Sequence, residues 1–506
     1  MGTSLSRRRF ISGVGATAAG AVAGGAALAA EPASAATPAD RFGRMFPGLP
    51  PFVAADNRSR AALTDIGRPG GPLDARDPLT EGPIRLITNP ELSPRNRDNP
   101  FHTAGTTFFG QFLDHDMTFD TTSRLGVPTS PESSPNLRTP ALDLDSVYGG
   151  GPVASPQLYE SDRIKLRIES GGRFEDVPRM ANGTAIIAEP RNDENVIIAG
   201  LQTAFILSHN RAVDLLRSQG VATSSLFERA RQLITWHYQW IIVNEFLPQV
   251  SGHGLMQDIL AHGRRFYRPE PGPAFIPVEF QGAVYRFGHS MVRPSYRANL
   301  AGNPDGSPFF GFIFDPAGQN QADPVDLRGG RRAPRRFIGW QTFFNFGDGQ
   351  VRPNKRIDRN ISTPLFNLPL GAIASGEPPT SLPQRNLLRH LTWSLPSGQQ
   401  VANAMGWGPL TLNELSGYGL GLERNTPLWY YTLAEAELIG DGIVLGPMGG
   451  RIVGEVFIGL LQLDPRSYLR AAPAGWRPTL PSQRAGTFAM TDLLRWARVD
   501  PASRGQ

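Results

Sequence analysis

Seven residues from Gly110 to Asp116, GQFLDHD, constrain this chain more than any other stretch. Read as a helix, they put Gln111 and His115, four apart, on one face, while Asp114 and Asp116 flank His115 and point about 100° away from it. Phe108 continues the face of His115, and Phe109, Phe112 and Leu113 supply apolar packing, so the helix is expected to be buried. Asp, His and Asp in a row are costly in an apolar interior unless each finds a partner. The fold must therefore deliver partners to a single helix from several directions.

The chain has the material for this: 506 residues, 40% of them hydrophobic, are enough for a sizeable core. Its 56 Gly and 46 Pro fall short of a low-complexity composition and point to long irregular connections. The net charge of +5 comes from Arg scattered among Asp and Glu, with no dense basic run beyond the N-terminus, which argues against nucleic-acid binding. Cysteine is absent. Disulfides, thiolate haem ligation, iron–sulfur clusters and cysteine nucleophiles are thereby excluded, and any cofactor must be held by His, carboxylates or Arg.

The first residues read Ser6-Arg7-Arg8-Arg9-Phe10-Ile11, then a weakly apolar Gly/Ala stretch to about Ala30, then Ala33-Ser34-Ala35. Twin arginine, apolar region and small-residue cleavage site, in that order, form a twin-arginine export signal over residues 1–36. Residues 37–99 are rich in Pro, Arg and Asp without sustained periodicity and read as an arm wrapping a larger body. Helical spacing marks Val196 to Ser218, stopped at Gly220, and Leu226 to Phe246, ended by Pro248. A third helix lies within Pro277 to Val292 and stops at Pro294. Arg297 to Arg336 reads as a long loop. Helical pattern returns at residues 385–395, 401–405, 411–415, 433–437, 449–463 and 491–497. Gly417-Tyr418-Gly419-Leu420-Gly421 lacks the preceding strand and the spacing of a nucleotide loop. The fold class is mainly α: one large helical domain over residues 100–500, with long irregular loops and few short strands.

Three further pairs repeat a three-residue spacing that turns both members toward one side. They are Arg191 and Glu194 in RNDE, Arg286 and His289 in YRFGHS, and Asn386 and Arg389 in RNLLR. Each alone is an ordinary capping or salt-bridging pattern. In this order, with GQFLDHD and with VNEFLP at residues 243–248, they resemble the animal-type haem peroxidase family, the peroxidase–cyclooxygenase superfamily, in a bacterial form.

The resemblance implies a largely helical domain with haem b between helices. It makes His289 the proximal iron ligand, with Asn386 accepting the other ring N–H, and pairs Arg286 and Arg389 with the haem propionates. On the other face His115 would move a proton between the two oxygens of hydrogen peroxide, Arg191 would stabilise the departing oxygen, and Gln111 would hold water or a halide. An oxoferryl intermediate would then oxidise small phenolic donors, halides or thiocyanate. Asp114 and Glu194 match the carboxylates that become ester-linked to haem. Asn195 stands where the mammalian neutrophil enzyme of the family has a sulfonium-forming Met, which disfavours chloride. Asp116 matches a Ca²⁺ ligand, whose partners would be Thr139, Asp143, Asp145 and the Ala141 carbonyl, hard oxygens on an extended loop. His209 and His237 are read as structural.

Rival readings are a fatty-acid dioxygenase, a non-haem metal hydrolase and a secreted binding protein with a dead haem site. The dioxygenase needs a Tyr three residues before the proximal His, where this chain has Arg286, with Tyr285 one place earlier.

Overall fold

The computed structural model describes residues 41–318, 321, 323–416 and 422–506. The export signal and the Gly417–Gly421 run lie outside these residues. Among the described residues helices dominate, and the strands form four separate two-stranded pieces. No described helix is long and apolar enough to cross a membrane.

The Ala104–Met117 helix carries the GQFLDHD motif and is almost wholly buried. It follows the strand Asp98–Thr103, which pairs antiparallel with Pro353–Lys355. Gly105 lets it press against the chain near residue 344, because a Cβ there would meet the Phe344 ring at 2.5 Å. The Val196–Ser218 helix has the expected bounds, and its start is fixed by Asn195, whose side chain accepts from the amides of Ile197 and Ile198. Phe112 of the first helix stacks on Phe205 of this one at 4.7 Å.

Two helices differ from the expectation. The Thr223–Ile241 helix is not ended by Pro248 but passes through a π-helical turn, Ile242–Phe246, into Leu247–Ser251. Pro248 sits near the start of that last segment, directly after the wider turn, where its missing N–H is tolerated. The expected helix between Pro277 and Val292 is broken at Ala283 (φ −139°, ψ −73°) into a short α-turn, Val278–Gly282, and an eight-residue 3₁₀ run, Val284–Met291. In a 3₁₀ helix residues three apart eclipse each other, so Arg286 and His289 lie in one column.

The arm is not merely wrapped around the body. It contains the helices Asn57–Ile66 and Gly82–Thr88, and Phe42, Phe52, Leu63 and Leu73 belong to the same continuous core that reaches Val499. Buried Asp77 accepts from the Thr363 amide at 2.9 Å, and Asp74 from the Thr363 hydroxyl at 2.6 Å. Periodicity does not reveal these elements because they are short and separated by Gly- and Pro-rich turns. Within the expected loop 297–336, Phe310–Phe312 pairs antiparallel with Ser295–Arg297. The six C-terminal helices are present, and the longest run over Leu428–Ile439 and Pro447–Leu463.

Candidate active site

A cavity of about 190 Å³ lies between the Ala104–Met117 helix and the Val284–Met291 run. Gln111, Asp114, His115, Glu194, Arg286 and His289 line it together, with an apolar remainder that includes Phe246, Phe314, Leu365 and Leu368. The Tyr285 hydroxyl ties the two walls by donating to the Gly110 carbonyl at 2.9 Å. Asp114 was expected to point away from the face of Gln111 and His115. All three line the cavity, because the cavity curves around enough of the helix to take in residues 100° apart.

His115 is buried, and its Nδ1 lies 2.8 Å from Asn192 Oδ1. The Asn192 amide nitrogen donates to Gln202 Oε1 at 2.8 Å, so its oxygen is left for the ring. Nδ1 must therefore donate, and Nε2 is the free acceptor. Burial, aided by the charge of Arg191, lowers the His115 pKa to about 4, so the ring is neutral at ordinary pH. Asn192 and Gln202 were not singled out from the sequence. Asn192 stands inside RNDE, but pairing at a spacing of three drew attention to Arg191 and Glu194 instead.

Arg191 does not line the cavity. Its Nε donates to Glu189 at 2.8 Å, Nη2 reaches the carbonyls of His115 and Thr118, and the guanidinium lies 4.6 Å from the Phe119 ring centroid. The reason is Glu189, fully buried two residues before: burial alone would raise its pKa, but Arg191 and Arg138 bring it down to about 2. The buried anion draws the cation away from the cavity. Glu194 does face the cavity and accepts from Gln111 Nε2. Burial and the nearby carboxylates of Glu189 and Asp114 outweigh Arg191 and raise its pKa to about 8.

On the other wall His289 lies with Nδ1 2.8 Å from Asn386 Nδ2, and burial with the charge of Arg286 lowers its pKa to about 3. The amide was expected to present its oxygen to the ring. Here Oδ1 instead accepts from Arg286 Nη1 at 3.3 Å, since a guanidinium has donors only. Arg286 also donates to the Gln281 carbonyl at 2.8 Å, and both of these acceptors are neutral. Its pKa falls to about 9 through burial and the proximity of Arg389. Arg389 does not line the cavity: Asp120 and Ser123 accept from its Nη1 at 3.2 and 2.7 Å. Of the two arginines, only Arg286 borders the cavity without a carboxylate in salt-bridge reach.

These features fit haem. The cavity is large and mostly apolar, one imidazole presents Nε2 to it, and a buried guanidinium there has only neutral partners. A Cβ at Gly288, beside His289, would project into open space and take up part of that volume.

The oxygens expected to bind Ca²⁺ are gathered but engaged. Asp116 accepts from the amides of Leu144 and Ser146 at 3.1 and 3.2 Å, and from the hydroxyls of Ser146 and Tyr238 at 2.7 and 3.0 Å. Asp145 accepts from the Thr139 amide and hydroxyl, each at 3.0 Å, and Asp143 from Arg231 and Arg466, each at 3.2 Å. The Ala141 amide donates to the Thr139 carbonyl at 2.7 Å. Among the described residues no set of three His, Asp or Glu side chains forms a ready-made metal cage. One oxygen is left over: buried Asp143 Oδ1 has no hydrogen-bond partner. Burial, then Asp145 and Asp143, raise the Asp116 pKa to about 8.

His209 and His237 sit in structural networks. His209 lies 2.9 Å from the Ile164 carbonyl and 3.2 Å from the Tyr148 hydroxyl, and His237 Nε2 accepts from the amides of Thr479 and Leu480.

The model of the animal haem peroxidase family matches residues 122–308, a span that holds Arg191, Glu194 and His289 but neither His115 nor Asn386. Chorion peroxidase of Aedes aegypti is 25% identical over 362 residues, covering 66% of this chain and 42% of that protein. These matches support an animal-type haem peroxidase. Heme peroxidase 2 of Caenorhabditis elegans is 24% identical, covering 60% of this chain and 41% of its own length. The chain thus spans less than half the length of these curated relatives. Among solved structures, peroxidase A from Dictyostelium discoideum aligns over 90% of this chain and 92% of its own with a TM-score of 0.59 at 15% identity. The fatty acid α-dioxygenase of Oryza sativa aligns over 73% and 70% with a TM-score of 0.53, also at 15% identity. Both likenesses are of fold. The match to a haem peroxidase family model implies a haem cofactor.

The contact between His115 and Asn192 carries a prediction. Removing the acceptor leaves the ring free to change tautomer and to turn. Asn192→Ala should slow the reaction with peroxide about 10- to 100-fold, the usual loss for the partner that orients a functional histidine, and leave haem binding intact. Stopped-flow absorption after mixing with peroxide measures the first, and haem titration the second.

Proposed function

We propose that this protein is a haem peroxidase that reduces hydrogen peroxide with electrons from small phenolic donors, bromide, iodide or thiocyanate. The observation that carries the reading is a neutral His115, its Nδ1 held by Asn192 and its Nε2 free, on the same cavity as His289.

Haem, held by His289 and with a propionate on Arg286, would supply the two electrons that break the O–O bond. The protein supplies the proton handling. His115 Nε2 would take a proton from one oxygen of hydrogen peroxide and return it to the other, which leaves as water, a role worth roughly 10²- to 10⁴-fold. Asn192 keeps Nδ1 protonated throughout. Arg191 acts as a positioning residue: it holds the carbonyls of His115 and Thr118, and its charge keeps the ring neutral. Gln111 donates to Glu194 from one amide hydrogen and retains another for water or a halide. With a propionate on Arg286, Asn386 would be free to turn its oxygen toward His289 Nδ1. Asn195 cannot form the sulfonium link of a Met, which supports donors easier to oxidise than chloride.

Three finer features belong to the same reading. Asp114 and Glu194 both line the cavity and are the carboxylates for ester bonds to haem methyl groups. Each bond uses one peroxide: joining a carboxyl to a methyl releases two hydrogen equivalents, which reduce H₂O₂ to two waters. A Ca²⁺ ion is supported by the unpartnered Asp143 Oδ1 and by the mutual repulsion of Asp116, Asp143 and Asp145. Export through a bacterial twin-arginine pathway is supported by the order of Arg7, Arg8, the apolar stretch and Ala33-Ser34-Ala35.

The fatty-acid dioxygenase reading has the shared fold in its favour. Against it, the residue three before His289 is Arg286, and the Tyr285 hydroxyl is engaged by the Gly110 carbonyl.

The purified, haem-loaded protein should show a Soret band and oxidise a simple phenol with peroxide. His289→Ala should abolish stoichiometric haem binding, whereas His115→Ala should keep haem and lose peroxide cleavage. Full activity in both variants would refute the assignment. Metal analysis of active protein should return Ca²⁺, and its chelation should perturb the haem spectrum, because Asp116 adjoins His115; active protein free of Ca²⁺ rules the ion out. Haem should be extractable by acidic organic solvent before peroxide treatment and retained after it, with Asp114→Val and Glu194→Gln each removing one bond in peptide mass spectra. Haem still fully extractable after turnover would reduce both carboxylates to ordinary cavity residues.

A further inference from the structure

Against the Thr223–Ile241 helix lies an aromatic cluster that the peroxidase reading does not use. Trp236 and Trp476 stand with ring centroids 5.4 Å apart, Trp240 and Trp476 6.0 Å, Trp240 and Tyr468 5.9 Å, and Tyr468 and Trp476 5.6 Å. The cluster gathers three of the eight tryptophans in the chain, so it is not an average sample of the surface. Trp236, Tyr468 and Trp476 are half-buried and Trp240 is covered, so the group has both an outer and an inner edge. Its rim is basic. Arg470 and Arg477 are exposed, Arg466 is paired with Asp143 and Asp464, and the Arg477 guanidinium lies 5.4 Å from the Trp240 ring centroid.

The inner edge leads to the cavity. Phe246, which lines the cavity, and Trp240 are six residues apart on one unbroken run of helix, a rise of about 9 Å. Ring contacts also run from Phe246 to Phe109 at 5.7 Å and from Phe109 to Tyr238 at 6.2 Å; Tyr238 turns to the other side of the helix from Trp236 and Trp240, so the helix backbone completes the path. Tryptophan and tyrosine are the most easily oxidised side chains available to a protein without cysteine. The outer edge is held in place by neutral His237, whose ring lies 5.6 Å from Trp476 and whose Nε2 receives the amides of Thr479 and Leu480.

We propose that Trp236, Trp240, Tyr468 and Trp476 form a second oxidation site, at the surface, for anionic aromatic donors too large to enter the cavity. The inference rests on the peroxidase reading, which supplies the oxidant. A tryptophan of the cluster gives one electron toward the peroxide-oxidised haem and becomes a radical cation. A donor stacked on the exposed rings restores that electron and loses a proton, becoming a neutral radical. Two such passages, with the two protons released, reduce one H₂O₂ to two waters. The flat half-exposed rings suit an aromatic donor, and the arginine rim suits a sulfonate or carboxylate on it.

Haem-loaded protein treated with one equivalent of peroxide and a nitroso spin trap, without donor, should give a protein radical by electron paramagnetic resonance and a trap adduct on Trp236, Trp476 or Tyr468 by peptide mass spectrometry. In Trp236→Phe/Trp476→Phe, kcat/KM for the bulky disulfonated dye ABTS should fall about tenfold, while that for guaiacol, which reacts in the cavity, stays within about twofold. Trp476→Phe alone should give an intermediate loss for ABTS. Equal falls for both donors would mark the cluster as structural and overturn the proposal, as would unchanged ABTS oxidation or adducts found only elsewhere. Wild-type protein that leaves guaiacol unoxidised overturns the peroxidase reading and this inference together. Guaiacol oxidation with no adduct on the cluster overturns this inference alone.

Discussion

Three consecutive polar side chains on one buried helix govern the architecture around the site. Residues next to each other on a helix diverge by about 100°, so Asp114, His115 and Asp116 cannot share a partner. Asp116 is met by the amides of Leu144 and Ser146 and by Tyr238, which fixes the loop after residue 138 and the Thr223–Ile241 helix against the same spot. His115 is met by Asn192, which brings in the turn before the Val196–Ser218 helix, and Asp114 opens onto the cavity. Loss of Asn192 leaves the buried His115 Nδ1 unsatisfied, which costs about 1–3 kcal/mol. The motif is thus a folding constraint as much as a reactive one.

The same economy appears in the three arginines of the site. Arg191 and Arg389 each have a carboxylate supplied by the chain, Glu189 and Asp120, and each is withdrawn from the cavity by it. Arg286 is offered only a carbonyl and an amide oxygen. Sequence spacing cannot distinguish these cases, because a guanidinium follows the nearest buried anion, and Glu189 lies outside RNDE while Asp120 lies 269 residues from Arg389.

How much was legible from sequence follows the range of the interactions. The long helices were readable because their apolar residues repeat at helical spacing and because local stops such as Gly220 act within a turn. The sequence does not distinguish the Val284–Met291 run from α-helix, since 3₁₀ and α-helix share the three-residue neighbour that Arg286 and His289 display; the break falls at Ala283, after Gly282, which packs against Trp393. The convergence of GQFLDHD, RNDE, YRFGHS and RNLLR on one centre was inferred from their order. His115, Glu194, Arg286 and His289 meet on the cavity and Asn386 stands behind His289, whereas Arg191 and Arg389 turn away. Asn192 escaped notice although it lies within a motif, because its importance comes from Gln202, ten residues on, which decides the direction of its amide.

The unmatched charge of Arg286 bears on how the protein is held together. A buried cation without an anion has its ionised form disfavoured, and the fall of its pKa to about 9 expresses that cost. A ligand that brings a carboxylate to Arg286 and fills the apolar space beside Gly288 relieves the charge and buries cavity surface in one step. Such a ligand binds the folded chain and not the unfolded one, so its affinity adds to the stability of the fold. It also frees Asn386 from Arg286, and the amide can then face His289 with its oxygen. Charge neutralisation at one end of the cavity and the hydrogen-bond direction at the imidazole are therefore one coupled arrangement, connected through a single asparagine.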